Sequence, residues 1–296
     1  MVKVIGVDFS GAKESGNRSN TWITEASLNS CQLVLDKPRS IRRDDLTKRL
    51  MKPDYSVAAM DFPFSVPIAF ARYWQDDADD MPTLWRAAYE LEDPKCFMAI
   101  VDKFAPAVAD EVLRVGDMHV PGCYSCLHRA QPNMVPMTFE GMKLLHVLWK
   151  AGCFHVPPLS SPKEDSPVLL EVMPGAALRS LGLPRINPGK AYKSGSNAKS
   201  RREEILSELA RKSNVRLPNL DRYRDRCLRN HDALDSMVAA VVAAMWADGN
   251  VFHGPTEAKV TDVRMPKSTR TASPQAEGLT QLEAARLEGW IYVPLL

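Results

Sequence analysis

The sequence has few cysteines and no long apolar run, and both shortages restrict the class of protein. Its 296 residues include six cysteines at irregular spacing, so reduced thiols are expected rather than a disulfide framework. The longest strongly apolar run, residues 237–246, is about half of the roughly 20 residues that cross a bilayer. The N-terminus has neither the basic segment nor the cleavage site of a signal peptide. We therefore expect a soluble, cytoplasmic protein with no membrane partner.

The overall composition restricts the fold class. Hydrophobic residues make up 45% of the chain and charged residues 25%. This balance excludes a disordered or collagen-like polymer and supplies a sizeable core. We predict that residues 1–296 form a single domain without internal repeats.

Positive charge is concentrated in one segment, although the net charge of the chain is only +2. Residues 190–229 carry 12 Lys or Arg against five Asp or Glu. Such a segment is either a solvated, partly helical connection or a phosphate-binding surface. In the second interpretation, the residues predicted to contact phosphate are Lys193, Lys199, Arg201 and Arg202.

Hydrophobic patterning predicts strands and helices along the chain. The predicted strands are residues 2–7, 21–27, 31–35, 55–60 and 168–172. The predicted helices are residues 42–51, 83–92, 106–115, 200–211 and 232–246. Residues 67–157 are predicted to be a helical insertion after the fourth strand, and residues 190–197 a mobile loop. Residues 250–296 are predicted to be a C-terminal extension that returns to the core, with a short strand at residues 289–295.

The predicted order of elements indicates a fold class. Three strands precede a helix and a fourth strand, and a fifth strand follows the helical insertion and leads to the final helix. This order matches the RNase H-like plan, in which helices pack on the faces of a mixed sheet. We therefore predict an α/β fold with an RNase H-like sheet.

Five carboxylates occupy positions that are unusual for surface residues. Asp8 and Asp61 each end an apolar strand, and Glu171 interrupts another. Asp232 and Asp235 open the final helix, where a spacing of three places both side chains on one face. If the strands are neighbours, these carboxylates converge, and their repulsion requires protons or cations. Ligands that are all oxygen atoms select Mg²⁺ or Mn²⁺.

Each carboxylate also has a structural explanation. Asp8 and Asp61 are suited to capping the turns that follow them. Asp232 and Asp235 are suited to the positive end of the helix dipole. Pairing with one arginine would be enough to neutralise Glu171 in a buried strand.

Five motifs together resemble one family. They are GVDFSGAK (residues 6–13), AMDFPFS (59–65), LLEVMPGAAL (169–178), HDALDSMVAAVVAA (231–244) and EGWIYVP (288–294). The sequence resembles the domain-of-unknown-function 429 family, which is grouped with predicted nucleases of the RNase H fold. The last helix is also similar to the final acidic helix of RuvC-like resolvases, whose first two acids close the first and fourth strands.

The resemblance implies a function and a set of site residues. It implies a divalent-metal-dependent nuclease that hydrolyses the phosphodiester bonds of nucleic acid, either DNA or RNA, with Mg²⁺ or Mn²⁺. The implied metal ligands and catalytic residues are Asp8, Asp61, Asp232 and Asp235, and Glu171 is a further catalytic candidate.

Other interpretations of the residues remain open. Residues 6–13 miss the phosphate loop G-x-x-x-x-G-K-[ST] by one position, but they are compatible with the phosphate-contacting turn of an actin-like or sugar-kinase-like ATPase or phosphotransferase. A non-catalytic nucleic-acid-binding or scaffold protein is the second alternative. His231 is placed either to assist proton transfer or only to lie beside a helix cap. The candidate zinc ligands, whose spacing is irregular, are Cys123, Cys126, Cys153 and His155.

Overall fold

The computed structural model describes residues 1–15, 19–91, 93–104, 112–129, 131–152, 154–160, 166–183, 192–261, 271–272 and 276–295. The strands are Val2–Asp8 (β1), Trp22–Asn29 (β2), Gln32–Leu35 (β3), Arg39–Ser40 (β4), Val57–Asp61 (β5), Val112–Leu113 (β6), Val168–Glu171 (β7), Phe252–His253 (β8), Thr271–Ala272 (β9) and Val293–Pro294 (β10). The helices are Arg43–Leu50 (α1), Ile68–Trp74 (α2), Met81–Glu90 (α3), Pro94–Phe104 (α4), Val115–Met118 (α5), Met134–Lys150 (α6), Pro174–Ser180 (α7), Ala198–Lys212 (α8), Asp221–Arg229 (α9), His231–Ala247 (α10) and Gln281–Glu288 (α11).

The main sheet is mixed, as the strand pattern predicted. Its strands lie in the order β3-β2-β1-β5-β7, and β4 pairs with β2. The pairs β1–β2 and β2–β3 are antiparallel, whereas β1–β5 and β5–β7 are parallel. The core residues Val4, Ile5 and Val7 of β1 are all buried, which explains why this strand is a continuous apolar run.

Helix α10 covers the sheet and corresponds to the helix predicted at residues 232–246. Asn230 caps its first turn by accepting hydrogen bonds from the backbone N–H groups of residues 232 and 233. Residues 233–245 are all buried, and the alanines among them allow a close approach to β1. Gly6 of β1 completes this approach, because a Cβ atom there would lie 2.1 Å from the backbone nitrogen of Ala240.

The chain between β5 and β7 is mostly helical, as predicted. One predicted helix, residues 106–115, is wrong over the residues that the structure describes. Helices α2 to α6 occupy this region. Of the predicted helix 106–115, residues 106–111 lie outside the described residues, and Val112–Leu113 forms strand β6, which pairs in parallel with Thr271–Ala272. Local patterning does not reveal a partner strand that is so distant in the sequence.

The C-terminal segment packs beside the end of β7. Strands β8 and β10 pair in antiparallel fashion, and the backbone N–H of Tyr292 donates to the carbonyl of Glu171 over 2.9 Å. The predicted strand 289–295 is shorter, at Val293–Pro294, because Gly289 has a φ of 76° and turns the chain after α11. In the described part of the chain, no helix combines the length and the apolar character needed to span a bilayer.

Candidate metal centre

The parallel pairing of β1 and β5 brings two aspartates together. Both strands end in aspartate, and the register places Asp8 directly beside Asp61. Asp8 is buried and Asp61 is partly buried. The two carboxylates therefore share the edge of the sheet at which the parallel strands end.

A third carboxylate reaches the same point from α10. Asp235 is fully buried, and one oxygen each from Asp8, Asp61 and Asp235 lie within 4.8 Å of one another. We call these three residues the aspartate centre. Asp232, one turn earlier, is not part of this group, and its Oδ1 lies 3.0 Å from Nε2 of His231. The spacing of three residues predicted that both side chains lie on one face of α10. Of the two, only Asp235 reaches the ends of β1 and β5.

Burial dominates the electrostatics of the aspartate centre. Burial raises the pKa of Asp8 well above its ordinary value, and the charges of Asp235 and Asp61 raise it further. Burial also raises the pKa of Asp61 to about 7, and it raises the pKa of Asp232. Carboxyls in this state bind either protons or a cation.

The donor set fits a hard divalent cation. The aspartate centre offers only carboxylate oxygens, which are the ligands preferred by Mg²⁺ and Mn²⁺. These three aspartates could therefore hold a metal ion.

Tyr192 and Lys193 also contact Asp235, and sequence analysis did not predict this. The hydroxyl of Tyr192 donates to Oδ1 of Asp235 over 2.6 Å, and Nζ of Lys193 lies 2.8 Å from Oδ2. Lys193 is thus paired with Asp235 and also lines the cavity beside the centre, and its predicted contact with phosphate stays a prediction.

The other three predicted phosphate contacts differ in their surroundings. Arg202 is buried, and its guanidinium donates to the backbone carbonyls of Leu228 and Tyr192. Two of its donors are therefore used within the fold, and its predicted contact with phosphate stays a prediction. Arg201 forms a surface ion pair with Glu204 at 2.8 Å, and Lys199 is exposed.

Glu171 is buried in an ion pair that the sequence did not specify. Nη1 of Arg114 donates to Oε2 of Glu171 over 2.9 Å, Nη2 donates to Oε1, and the backbone N–H of Phe64 donates to Oε2 over 3.0 Å. Arg114 also pairs with Asp117 at 2.8 Å. The carboxylate of Glu171 is therefore held by Arg114 and lies outside the aspartate centre, and its catalytic role stays a prediction.

The aspartate centre opens into a cavity of about 480 Å³. The sequence indicated its acidic wall, but not Tyr192 or Arg114, because neither residue stands in a recognisable motif. Residues that line this cavity include Asp8, Asp61, Asp232, His231, Lys193, Tyr124 and Gln131. The centre is thus accessible to a ligand of substantial size.

Two backbone N–H groups of the turn after β1 are used within the fold. The backbone N–H of Ser10 donates to Oγ1 of Thr21 over 3.1 Å, and that of Ala12 donates to Oγ of Ser10 over 3.2 Å. The guanidinium of Arg43 donates to the carbonyls of Ser10 and Ala12. These bonds stabilise the turn internally.

The candidate zinc ligands form no four-residue site among the described residues. Cys153 lies outside them. Cys123 and Cys126 are buried, and burial raises the pKa of both thiols well above the ordinary value. Nδ1 of His155 lies 2.8 Å from Oγ of Ser160. Over the described ranges, the aspartate centre is the group that has metal-binding geometry.

The fold and site define an α/β protein with a carboxylate centre at the end of its parallel strands. The model of a family described as "Protein of unknown function (DUF429)" matches residues 140–259, so the chain is similar to that family over this segment. The matched segment includes Glu171, Tyr192, Lys193 and Asp235. No curated protein and no solved structure matches the chain.

Proposed function

We propose that this protein is a divalent-metal-dependent nuclease that hydrolyses phosphodiester bonds of nucleic acid in the cytoplasm. The observation that carries the proposal is the convergence of three aspartate oxygens within 4.8 Å, two of them from residues that line a cavity of about 480 Å³. Carboxylate-bound divalent cations are a common means of phosphoryl transfer.

The sheet supports the RNase H-like assignment. In the sheet, β3, β2 and β1 pair in antiparallel fashion, and β1, β5 and β7 pair in parallel. Asp8 and Asp61 end β1 and β5, which correspond to the first and fourth strands predicted from the sequence. The same two strand ends carry the first acids in the RuvC-like pattern that the sequence resembles. Asp235 supplies the acid from the final helix.

Different residues of the site have different roles in the proposed reaction. Asp8, Asp61 and Asp235 would hold Mg²⁺ or Mn²⁺, which when bound lowers the pKa of a water ligand and stabilises a leaving oxygen. His231 and Asp232 form a pair at 3.0 Å on the wall of the cavity. This pair is placed to accept a proton from the attacking water.

Metal binding and hydrolysis test this proposal together. Mn²⁺ binding is measured by isothermal titration calorimetry, and cleavage is measured with labelled single-stranded, duplex and branched DNA and RNA in Mg²⁺, Mn²⁺ or EDTA. We expect Asp8→Asn, Asp61→Asn and Asp235→Asn each to reduce both. Asp44→Asn is the matched control, because Asp44 is exposed on α1.

The same measurements identify the alternatives. Turnover of ATP without cleavage of nucleic acid would replace the proposal by an ATPase or phosphotransferase. Binding of nucleic acid without Mn²⁺ binding or cleavage would replace it by a non-catalytic binding protein.

A further inference from the structure

Hydrogen bonds of neighbouring residues, in addition to its own ion pair, hold Lys193 beside the aspartate centre. Its Nζ lies 2.8 Å from Oδ2 of Asp235, and Tyr192 donates to the other oxygen of the same carboxylate. Arg202 in turn donates to the backbone carbonyl of Tyr192. The backbone on which Lys193 stands is therefore fixed at both Asp235 and α8.

The position of this ammonium group affects the whole centre. Lys193 lies on the same cavity as Asp8 and Asp61 and contacts Asp235, so its Nζ stands among all three carboxylates. Its side chain is 45% exposed and lines the cavity. Lys193 thus contributes a positive charge to the aspartate centre without being enclosed by it.

The charges of the centre restrict the number of cations. Three ionised carboxylates are neutralised by one divalent cation together with one ammonium group. A second divalent cation would leave an excess of two positive charges on these groups, and like charges repel strongly in a partly buried site.

We propose that the ammonium of Lys193 takes the place of a second metal ion, so that the centre holds one divalent cation. This inference rests on the proposed metal-dependent function. Lys193 is then a positioning and charge-balancing residue, and it differs from the surface lysines in that its removal changes the metal stoichiometry.

Mn²⁺ stoichiometry tests the inference. Binding to the full chain is measured by isothermal titration calorimetry and by electron paramagnetic resonance, and folding is checked by circular dichroism. We expect one Mn²⁺ per chain in the wild type, two in Lys193→Met, and one in Lys193→Arg, which restores the charge. Lys48→Met is the matched control, since Lys48 is an exposed lysine of α1, and we expect it to bind one.

Other metal stoichiometries overturn the inference. Two Mn²⁺ ions in the wild type, or one in a folded Lys193→Met protein, would show that Lys193 does not replace a cation. Failure of the wild type to bind Mn²⁺ would remove the proposed function as well. One Mn²⁺ in the wild type without cleavage of nucleic acid would remove only the proposed nuclease activity, and the Lys193 variants would still decide this point.

Discussion

Among single residues, Asp61 gives the most direct access to the electrostatics of the aspartate centre. Burial raises its pKa to about 7 in the folded protein, whereas an aspartate in an unfolded chain titrates near 3.9. The folded state therefore binds the proton more tightly. This stabilisation is complete below about pH 4 and is lost as the pH rises through about 7.

The first prediction follows from that sign. In EDTA, the free energy of unfolding of the wild type should fall by about 1 to 3 kcal/mol between about pH 5 and about pH 8. Asp61→Asn should reduce the fall, because asparagine does not titrate. Urea unfolding at both pH values measures the fall in the free energy of unfolding, with Asp44→Asn as the control. An equal fall in Asp61→Asn and the wild type would contradict the prediction.

Arg114 carries the second prediction. Its guanidinium neutralises Glu171 and Asp117 and donates to the carbonyl of Glu288, all in the interior. Arg114→Met leaves two buried carboxylates without their cationic partner, so we expect a loss of about 3 to 5 kcal/mol of stability. Chemical unfolding measures the loss.

A surface ion pair provides the comparison. Arg39 pairs with Glu25 at 3.1 Å and is 46% exposed, so Arg39→Met should cost at most about 1 kcal/mol. Equal costs for Arg114→Met and Arg39→Met would show that the buried network does not depend on its arginine.

Sequence patterning predicted those residues of the site whose position depends on a local feature, such as a strand end or a helix face. Asp8 and Asp61 end apolar strands, and Asp235 lies on a helix face, so patterning pointed to all three. Tyr192 and Arg114 meet the site through tertiary packing, because segments distant in the sequence carry them there. Glu171 had the local signature of a catalytic acid, but its arginine partner, which patterning does not reveal, determines its surroundings.

At the scale of elements, the contact of α10 with β1 determines whether the aspartate centre forms. Gly6 faces α10 so closely that a Cβ atom would lie 2.1 Å from the nitrogen of Ala240 and 2.2 Å from the carbonyl oxygen of Ser236. Both are backbone atoms, so a side chain at residue 6 must displace the helix. Asp235 moves with that helix.

The third prediction concerns this contact. Gly6→Ala should destabilise the protein by about 1 to 3 kcal/mol or more, as overpacking does, and should weaken Mn²⁺ binding. Gly254→Ala is the control, because its Cβ would meet the ring of Tyr292 at 3.4 Å, an ordinary contact. Thermal unfolding and calorimetry measure the two effects. Unchanged Mn²⁺ affinity in Gly6→Ala would show that the helix position does not control the centre.

Elements with strong internal periodicity were predictable, and those that depend on a partner were not. Helix α10 and the strands β1 and β5 have buried apolar patterns long enough to be specific. Strand β6 has two residues and depends on pairing with Thr271–Ala272. The parallel order β1-β5-β7 also needed the structure, because patterning gives the strands but not their neighbours.

At the scale of the whole molecule, the basic segment is less available to a nucleic acid than its composition indicates. Lys193 and Arg202 are engaged within the fold, and Arg211 and Arg224 pair with glutamates at the surface. Of the four residues predicted to contact phosphate, Lys199 and Arg201 are therefore those not engaged with the interior of the fold, and their role stays a prediction.

The fourth prediction concerns the phosphate contacts of Lys199 and Arg201. Neutralising a phosphate releases counterions, so the logarithm of the binding constant for duplex DNA falls with the logarithm of salt concentration by about 0.9 per contact. Lys199 is exposed, and a surface pair such as Arg201–Glu204 is weak enough to exchange with phosphate. Lys199→Gln together with Arg201→Gln should then flatten the slope by up to about two units.

Two control variants separate the surface from the fold in that measurement. Lys48→Gln removes an exposed charge on α1 and should leave the slope unchanged. Arg202→Gln should lower the melting temperature, because it breaks buried bonds to Leu228 and Tyr192, while the folded fraction keeps the wild-type slope. Fluorescence anisotropy over a salt series gives all four slopes. If the double variant keeps the wild-type slope, the charges of α8 serve solvation alone, and nucleic acid must be contacted from another face of the molecule.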